Sequence, residues 1–321
     1  MPFSFHSHSG QFCKHASGTL EEVVQAAIRA KFRVYGLTEH VPRYRLEDKY
    51  PEEESLSTDD LEEQFVRFLD EAHRLKQKYQ SQITLLVGAE TEHITELDLT
   101  RLQSLLDQHQ SRIEFLVGSI HHVSAVPIDF DEATFRRALE TFPPDLSSEM
   151  SEEDSRMSAL LDSYLDSQFL LMQRFHPEII GHLDLCRLYR PELEFRTFPG
   201  ALAKLQRNIQ YACGYGALFE LNAAAFRKGW DSAYPGRDVL QIIIGSGGKF
   251  TLSDDSHGPH AVGLNYDRLY RYMQEVGMKD LWYLSSVENA LSDGRALKPM
   301  KLEGDWREDE FWSTHLSVSM K

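Results

Sequence analysis

Seven short apolar runs, each followed by a longer segment with helical spacing, constrain the fold of this chain more than any other feature. The runs are residues 3–5, 33–38, 83–90, 113–120, 178–183, 217–222 and 249–254. Strand-like runs that alternate with helices predict parallel β-strands joined by helical crossovers. No glycine-rich nucleotide-binding loop follows the first run, so we expect a barrel of about seven strands rather than an open sheet.

The segments between the runs carry apolar residues at three- and four-residue spacing, which is typical of amphipathic helices. The first helix is predicted to begin at Thr19, where Glu22 completes a capping box, and the second lies behind Ser57 and Asp60. Further helices are predicted over about 98–109, 151–175, 200–213, 235–246 and 266–276.

Two segments depart from this alternation. Residues 123–156 are acidic and contain three prolines, and we predict that they form an insertion over one face of the barrel. Residues 292–321 are polar but include Trp306 and Trp312, which suggests a tail packed on the outside. The expected organisation is therefore a barrel over 1–291, with the 123–156 insertion over the site, and a C-terminal tail over 292–321.

Charge and composition exclude several classes of protein. Lys and Arg total 34 against 50 Asp and Glu, which gives a net charge of −16. Such a surface repels phosphate backbones, so we expect no nucleic-acid partner, although a small anion can bind where bound metal ions supply positive charge. No apolar run approaches the roughly 18 residues of a membrane helix, and no secretory signal is recognisable. Three unclustered cysteines, Cys13, Cys186 and Cys213, fit a reducing compartment, and we expect a cytoplasmic protein without a membrane partner.

Histidine and acidic side chains collect at the ends of the predicted strands. His6 and His8 stand two residues apart, as do Asp255 and His257, so each pair faces one side of an extended chain. At or just beyond the ends of other runs stand His40, Glu90, His121 and His182, and only the sixth run, ending at Asn222, lacks a candidate ligand. Because the carboxyl ends of barrel strands converge on one face, these side chains should meet. A single histidine at a strand end is more often structural, but the joint pattern predicts a site for several metal ions.

Several neighbouring residues remain open alternatives. His122 should point away from His121 if the strand continues, and Glu92 competes with Glu90 for the same role. His93 and His260 lie near the predicted site and are undecided. Histidines in helical or tail segments are expected to serve packing or the surface: His73, His109, His176 and His315.

The motifs, in this order, resemble the polymerase and histidinol phosphatase (PHP) superfamily. They are HSH at 6–8, His15, TEH ending at His40, GAE ending at Glu90, GSIHH at 118–122, GHLD at 181–184 and SDDSHGPHAVG at 253–263. Within the superfamily the chain is most similar to the histidinol-phosphate phosphatase branch, through SIHHV, the 127–132 stretch and ELNAAAFRK at 220–228.

This resemblance implies a distorted (β/α)7 barrel with a trinuclear metal site at the carboxyl ends of the strands. One ion would bind His6, His8, Glu90 and Asp255; a second would share Glu90 and add His121 and His182; the third would bind His15, His40 and His257. Glu90, Asp255 and His257 are expected to be catalytic, and the D-x-H spacing selects Asp255 over Asp254. Mixed histidine and carboxylate ligands suit Zn²⁺, our first choice, or Mn²⁺ or Fe, better than Mg²⁺ or Ca²⁺.

The activity that the resemblance implies is hydrolysis of L-histidinol phosphate, a phosphate monoester, by attack of a metal-bound hydroxide. The alternative enzyme is a PHP-type phosphoesterase that acts on another small phosphate or a nucleotide, including a 3′–5′ exonuclease. A metal-storage or regulatory protein is a third class, disfavoured because an open site is a poor metal store. The sequence identifies neither the general acid for the leaving group nor the oligomeric state.

Residues for substrate recognition are predicted from position alone. Arg227, and after it Arg156 and Arg187, are candidates to bind the substrate phosphate, since a guanidinium matches phosphate in a bidentate way. Histidinol phosphate also has a cationic end. Asp129 follows shortly after His121 and is predicted to form an ion pair with that cationic end. Asp131 is a second possible ion-pairing partner, and Phe130 is available for stacking.

Overall fold

The seven predicted strands form a single sheet of parallel strands in the computed structural model, which describes residues 2–145, 147, 149–286 and 295–316. The strands are β1 (Phe3–Ser4), β2 (Val34–His40), β3 (Thr84–Glu90), β4 (Phe115–Gly118), β5 (Ile179–Ile180), β6 (Leu218–Asn222) and β7 (Lys249–Ser253). They lie side by side in chain order, and every neighbouring pair is parallel.

The first and last strands approach each other, so the sheet curls into a nearly closed barrel. The hydroxyl of Ser4, at the end of β1, donates to Oδ1 of Asp254, one residue beyond β7, at 2.9 Å. The short strand Ser7–His8 then pairs in parallel with Ser256–His257. The chain therefore has the predicted α/β architecture of a distorted (β/α)7 barrel.

Helices connect the strands, and all the predicted helical patterns are helical. The helices are α1 (Leu20–Arg29), α2 (Thr58–Tyr79), α3 (Glu96–His109), α4 (Glu132–Glu140), α5 (Glu152–Phe175), α6 (Pro199–Tyr215), α7 (Ala224–Arg227), α8 (Arg237–Gly245), α9 (Tyr266–Glu275) and α10 (Glu310–Leu316). The predicted capping boxes at Thr19 and Ser57 are both present. Among the described residues no helix combines the length and apolar character needed to span a bilayer.

The acidic segment 123–156 is more regular than its composition indicated. A short antiparallel hairpin pairs His122–Val123 with Val126–Pro127, and helix α4 follows. Asp131 caps α4 by accepting a hydrogen bond from the backbone of Thr134 at 2.6 Å. Its carboxylate is thus engaged in a helix cap, whereas the sequence had suggested an ion-pairing partner for substrate.

The C-terminal residues that the structure describes pack against the barrel. Strand Leu297–Lys301 pairs antiparallel with Trp282–Ser286, and Arg295 binds the carboxylate of Glu178, at the start of β5, at 2.7 Å. Trp306 and Trp312 are both buried. The proposed boundary at 291/292 lies outside the described residues.

Glycines on the inward face of β2 and β3 make room for an aromatic floor beneath the carboxyl end of the barrel. A Cβ on Gly88 would lie 2.6 Å from the ring of Phe115, and one on Gly36 would lie 2.8 Å from Cα of Phe5. The rings of Phe5 and Phe115 meet edge to face, 6.1 Å apart. Glu90 lies two residues beyond Gly88 and points to the same face of β3. The apolar packing around Phe115 is therefore followed directly by the polar side chains at the carboxyl end of the barrel.

Candidate metal centre

Glu90, the last residue of β3, lies at the centre of a ring of imidazoles and is 1% exposed. Oε1 is 3.0 Å from Nε2 of His182 and 3.1 Å from Nε2 of both His6 and His121, while Oε2 is 2.8 Å from Nδ1 of His40 and 3.3 Å from Nε2 of His8. The barrel order explains this arrangement, since these histidines follow or end strands β1, β2, β4 and β5 around β3.

Asp255 closes the ring from the far side of the barrel. Its Oδ1 is 3.8 Å from Nε2 of His6, 3.7 Å from Nε2 of His8 and 3.5 Å from Nδ1 of His257. The backbone of Asp255 has φ of 45°, in the left-handed region that costs a non-glycine residue about 1–3 kcal/mol. Such a conformation at the end of β7 turns successive side chains in different directions.

The neighbouring Asp254 faces away from the imidazoles. Its carboxylate accepts hydrogen bonds from Ser4, from the hydroxyl of Tyr35 and from the backbone of Gly263. Burial raises the pKa of Asp254 to about 6, although these hydrogen bonds oppose the shift. Asp254 thus ties β1, β2 and the loop after β7 together, and Asp255 is the residue brought to the cluster.

A second group of imidazoles lies beside the first. Ligand nitrogens of His15, His40 and His257 lie within 4.8 Å of one another. Burial, followed by the nearby His8, lowers the pKa of His15 to about 4 and of His257 to about 3. At neutral pH both rings are therefore uncharged, which is the form that binds a metal ion.

All nine predicted ligands converge in one cluster, and its chemistry fits divalent cations. Besides the group just described, the sets close enough to hold an ion are His6–His8–Asp255, His6–Glu90–His182, His40–Glu90–His121 and His8–Cys13–His40. Nε2 of His6, His8 and His40 is buried without a hydrogen-bond partner among the described residues. Buried polar atoms are normally paired, so converging unpaired nitrogens beside two carboxylates indicate a ligand. Nitrogen and oxygen donors together suit Zn²⁺.

The set that includes Cys13 was not foreseen from the sequence. Cys13 is buried, as expected of a small apolar residue, but its Sγ lies 3.2 Å from Nε2 of His15. Burial raises the pKa of the thiol well above its ordinary value. A protonated thiol is a weak ligand, which leaves the imidazoles and carboxylates as the stronger donors.

Three carboxylates behind the imidazoles escaped the sequence analysis in this role. Oε2 of Glu220 lies 3.2 Å from Nδ1 of His6, Oε2 of Glu39 lies 3.4 Å from Nδ1 of His8, and Oε2 of Glu92 lies 2.9 Å from Nδ1 of His121. A carboxylate on the outer nitrogen fixes the ring orientation and raises the basicity of the inner nitrogen. Glu220 stands two residues before Asn222 on the same inward face of β6, which is the signal that could have revealed it.

The open alternatives near the cluster are placed as follows. Nδ1 of His122 is 3.1 Å from Glu92, so both belong to the layer behind His121. His93 contacts the carbonyl of Ser167, and His260 lines the cavity mouth, with Nδ1 3.2 Å from the hydroxyl of Ser17. The remaining histidines lie outside that cavity lining, within helices or, for His176, directly after one: His73, His109, His176 and His315.

A cavity of about 410 Å³ opens above the cluster. Its walls combine predicted ligands with side chains of several loops: Tyr50, Glu52, Asp129, Phe130, Leu185, Leu188, Arg227, Lys228 and Tyr234. The rings of Tyr50 and Phe130 lie nearly parallel, 6.0 Å apart. The volume is that of a small-molecule site.

Of the three predicted phosphate-binding arginines, only Arg227 lines this cavity. It is exposed at the mouth, and its Nη2 donates to the carbonyl of Asp255 at 2.9 Å. Arg187 is buried between Asp184 and Asp238, 2.7 and 2.6 Å away, so its charge is neutralised inside the protein. Arg156 donates to the carbonyl of Phe142 and lies in a different surface groove, beside α4. The prediction for Arg156 and Arg187 is therefore corrected: Arg156 points from helix α5 into another groove, and Arg187, in the short helical turn Leu185–Arg187, is held in buried ion pairs.

Comparison with known proteins agrees with the barrel. The PHP domain model matches residues 4–224, a range that contains seven of the nine predicted metal ligands, while Asp255 and His257 lie beyond it. The match covers more than half of the chain. This protein belongs to the PHP domain family.

Relatives of this PHP protein extend over almost its whole length. It is 42% identical over 309 residues to a probable histidinol-phosphatase of Schizosaccharomyces pombe, covering 95% of this chain and 96% of that one. It is 29% identical over 344 residues to the histidinol-phosphatase of Saccharomyces cerevisiae, covering 97% and 99%.

A solved structure shares the fold of this PHP protein. The histidinol phosphate phosphatase of Lactococcus lactis, described in complex with zinc, L-histidinol and phosphate, superposes with a TM-score of 0.61 at 18% identity. The superposition covers 92% of this chain and 98% of the other. At this identity the likeness establishes the barrel, and the site is argued from the residues of this chain.

Proposed function

We propose that this protein is a metal-dependent histidinol-phosphate phosphatase, which hydrolyses L-histidinol phosphate to L-histidinol and phosphate in histidine biosynthesis. The observation that carries the proposal is the cluster of seven imidazoles around Glu90 and Asp255 at the floor of a small-molecule cavity. The two yeast relatives, matched over nearly their full length, support the same substrate.

The proposed centre holds three divalent ions, with Zn²⁺ first and Mn²⁺ or Fe as alternatives. His6, His8, Glu90 and Asp255 would hold one ion; Glu90, His121 and His182 a second; His15, His40 and His257 the third. The zinc found with the Lactococcus lactis enzyme supports the choice of metal. Divalent ions held by these residues would lower the pKa of a coordinated water to about 7 and would offset the negative charge of a phosphate group.

The residues of the chain prepare the site for this chemistry. Glu220, Glu39 and Glu92 hold the rings of His6, His8 and His121 in place from behind. The cluster is almost completely buried at its base, so charges there act in a low dielectric and are strong. Glu90, Asp255 and His257 are the proposed catalytic ligands. Each belongs to one of the candidate metal-binding sets, and each also lines the floor of the cavity.

Arg227 is the proposed phosphate-binding residue. Its guanidinium lies at the cavity mouth directly beside the backbone of Asp255, and so at the edge of the metal cluster. A guanidinium there can donate two hydrogen bonds to the phosphoryl oxygens of the substrate. The acidic net charge of the chain would otherwise repel the substrate.

Asp129 is the proposed partner of the cationic end of the substrate. It lines the same cavity, and its Oδ1 is buried without a hydrogen-bond partner in the described part of the chain. The stacked rings of Tyr50 and Phe130 beside it offer a flat apolar surface for an imidazole. A carboxylate left unpaired in this position is matched by an ammonium group.

The proposed organisation keeps the barrel over 1–291 and the tail over 292–321, with the 123–156 segment over the site. Asp129 and Phe130 in the cavity wall support this position for the segment. We infer a cytoplasmic location, which is supported by three cysteines without a disulfide.

The decisive experiment measures phosphate release from L-histidinol phosphate, p-nitrophenyl phosphate and a nucleoside monophosphate by the zinc-loaded protein. We expect the highest kcat/KM for histidinol phosphate and no turnover after complete metal removal. The Glu90→Gln variant is the matched negative control. Turnover of the other two substrates without turnover of histidinol phosphate would refute the proposed substrate while leaving the phosphatase activity intact.

A further inference from the structure

Tyr234 is held firmly in the cavity wall, although the sequence analysis gave it no role. It lies between α7 and α8, and its backbone exchanges two hydrogen bonds with Asn222 at the end of β6, at 2.8 and 3.1 Å. Its ring packs edge to face on Trp230, with centroids 4.8 Å apart. Strand and ring contacts therefore fix the position of this side chain, which is 2% exposed.

The hydroxyl of Tyr234 has no hydrogen-bond partner among the residues that the structure describes, although it is buried. Leaving a buried hydroxyl unpaired costs folding free energy, and such groups are uncommon unless a ligand or an ordered water completes them. Asp129 lines the same cavity and presents an unpaired Oδ1. Two unsatisfied polar atoms thus belong to the wall of one small-molecule site.

The charges around this hydroxyl determine its protonation state. Burial, and then the carboxylates of Asp184, Asp255 and Asp129, raise the pKa of Tyr234 well above its ordinary value. The phenol keeps its proton at neutral pH and is a hydrogen-bond donor. Since Asp255 belongs to the metal cluster and Asp129 to the proposed ammonium-binding wall, the hydroxyl lies within electrostatic range of both ends of the cavity.

We propose that Tyr234 is a specificity-determining residue whose hydroxyl donates a hydrogen bond to a ring nitrogen of the substrate alcohol. The proposal rests on the proposed function and deepens it. The metal cluster and Arg227 take the phosphate, and Asp129 takes the ammonium, which leaves the neutral imidazole. One nitrogen of a neutral imidazole is an acceptor, and a fixed phenol is a matching donor. A site built to hydrogen-bond a substrate group discriminates against analogues that lack it.

The test compares Tyr234→Phe with Tyr164→Phe. Tyr164 also has a buried hydroxyl with no partner in the described residues, but it is outside the cavity lining. Both variants keep the ring and remove one oxygen, so neither should lower the melting temperature. The substrates are L-histidinol phosphate and p-nitrophenyl phosphate, which has no ring nitrogen acceptor in the matching position, and L-histidinol serves as an inhibitor.

For Tyr234→Phe we expect about a tenfold loss of kcat/KM for histidinol phosphate, the size of one lost hydrogen bond. The inhibition constant of L-histidinol should rise by a similar factor, and p-nitrophenyl phosphate hydrolysis should stay within about twofold. Tyr164→Phe should leave the ratio of the two substrates unchanged. An equal loss on both substrates, or no loss on either, overturns the role of Tyr234.

The outcome also separates this inference from the proposed function. A wild-type protein that does not prefer histidinol phosphate over p-nitrophenyl phosphate contradicts the proposed substrate. A wild-type protein with that preference, together with a Tyr234→Phe variant that fully retains it, contradicts only the assignment of Tyr234.

Discussion

The carboxylate of Glu220 lies 3.2 Å from Nδ1 of His6, on the edge of the ring opposite Nε2, which faces Glu90 at 3.1 Å. The imidazole is thus held between a carboxylate of β6 and a carboxylate of β3. Glu220 also accepts a hydrogen bond from the backbone of His182 at 2.6 Å. One buried side chain therefore orients two of the proposed metal ligands.

Replacing Glu220 by Gln should weaken metal binding without removing a ligand. An amide keeps the shape but loses the charge that makes the inner nitrogen of His6 more basic, and such changes cost about 10- to 100-fold in metal affinity. The measurement is zinc affinity by competition with a chromophoric chelator. The control is Glu114→Gln, since Glu114 is partly buried and pairs with Lys76 away from the cavity. Equal affinity in wild type and Glu220→Gln would contradict this role.

Asp255→Asn and Asp254→Asn form a matched pair of neighbours. Asp255→Asn should lose metal and lower turnover by several orders of magnitude, because its carboxylate faces His6, His8 and His257. Asp254→Asn should keep its metal but melt at a lower temperature, since Asp254 joins Ser4, Tyr35 and Gly263. Metal content by atomic emission, together with thermal melting, distinguishes them. The reverse pattern would show that Asp254 is the ligand.

Arg227→Ala should raise KM for histidinol phosphate by about tenfold or more, because charge-assisted bonds to phosphate are lost. Arg156→Ala serves as the control and should change neither constant, since Arg156 lies in another groove. Steady-state kinetics on both variants give the answer. KM and kcat that both stay within about twofold of wild type in Arg227→Ala would remove Arg227 from the site.

Asp129→Asn should lose kcat/KM selectively for histidinol phosphate relative to p-nitrophenyl phosphate. The amide cannot pair with the ammonium group, whereas the phosphate end is untouched. Asp131→Asn is the neighbouring control: Asp131 caps α4, and Asn is also a good cap, so both selectivity and stability should change little. A loss of equal size on both substrates in Asp129→Asn would assign Asp129 to structure.

Zinc uptake by the metal-free protein should release protons. In the absence of metal, burial lowers the pKa of His8, but the nearby carboxylates of Glu39 and Glu90 outweigh it and raise the pKa to about 9. His15 and His257, with pKa values lowered to about 4 and 3, carry no proton to release at neutral pH. Zinc affinity should therefore rise as pH rises from 7 towards 9. Calorimetry in buffers of different ionisation enthalpy measures the protons, and zero release at pH 7.5 would contradict the prediction.

The sequence predicted those parts of the molecule that depend on local periodicity. The strand-like runs form neighbouring parallel strands in the structure. His6 and His8, two residues apart, both direct their rings into the cluster, as their spacing predicted. Glu220 was missed because it lies inside a strand rather than at its end, and only closure of the barrel brings it behind His6. Arg156 and Arg187 were misplaced because sequence distance from a strand end does not determine where a long side chain points in the folded protein.

The acidic 123–156 segment shows the same limit. Its composition is typical of a solvated loop, yet Asp131 and Thr134 start a helix there. The cavity wall depends on contacts between segments far apart in the chain, such as the stacking of Tyr50 with Phe130. The spacing of apolar residues along the sequence does not predict contacts of this kind.

The central claim is a centre of three divalent ions around Glu90 and Asp255, and anomalous diffraction at the zinc edge tests it most directly. A crystal of active, zinc-loaded protein with bound phosphate should show three anomalous peaks, each among the ligand sets named above, with phosphate between them and Arg227. Active crystals without anomalous density among these nine residues would contradict the claim.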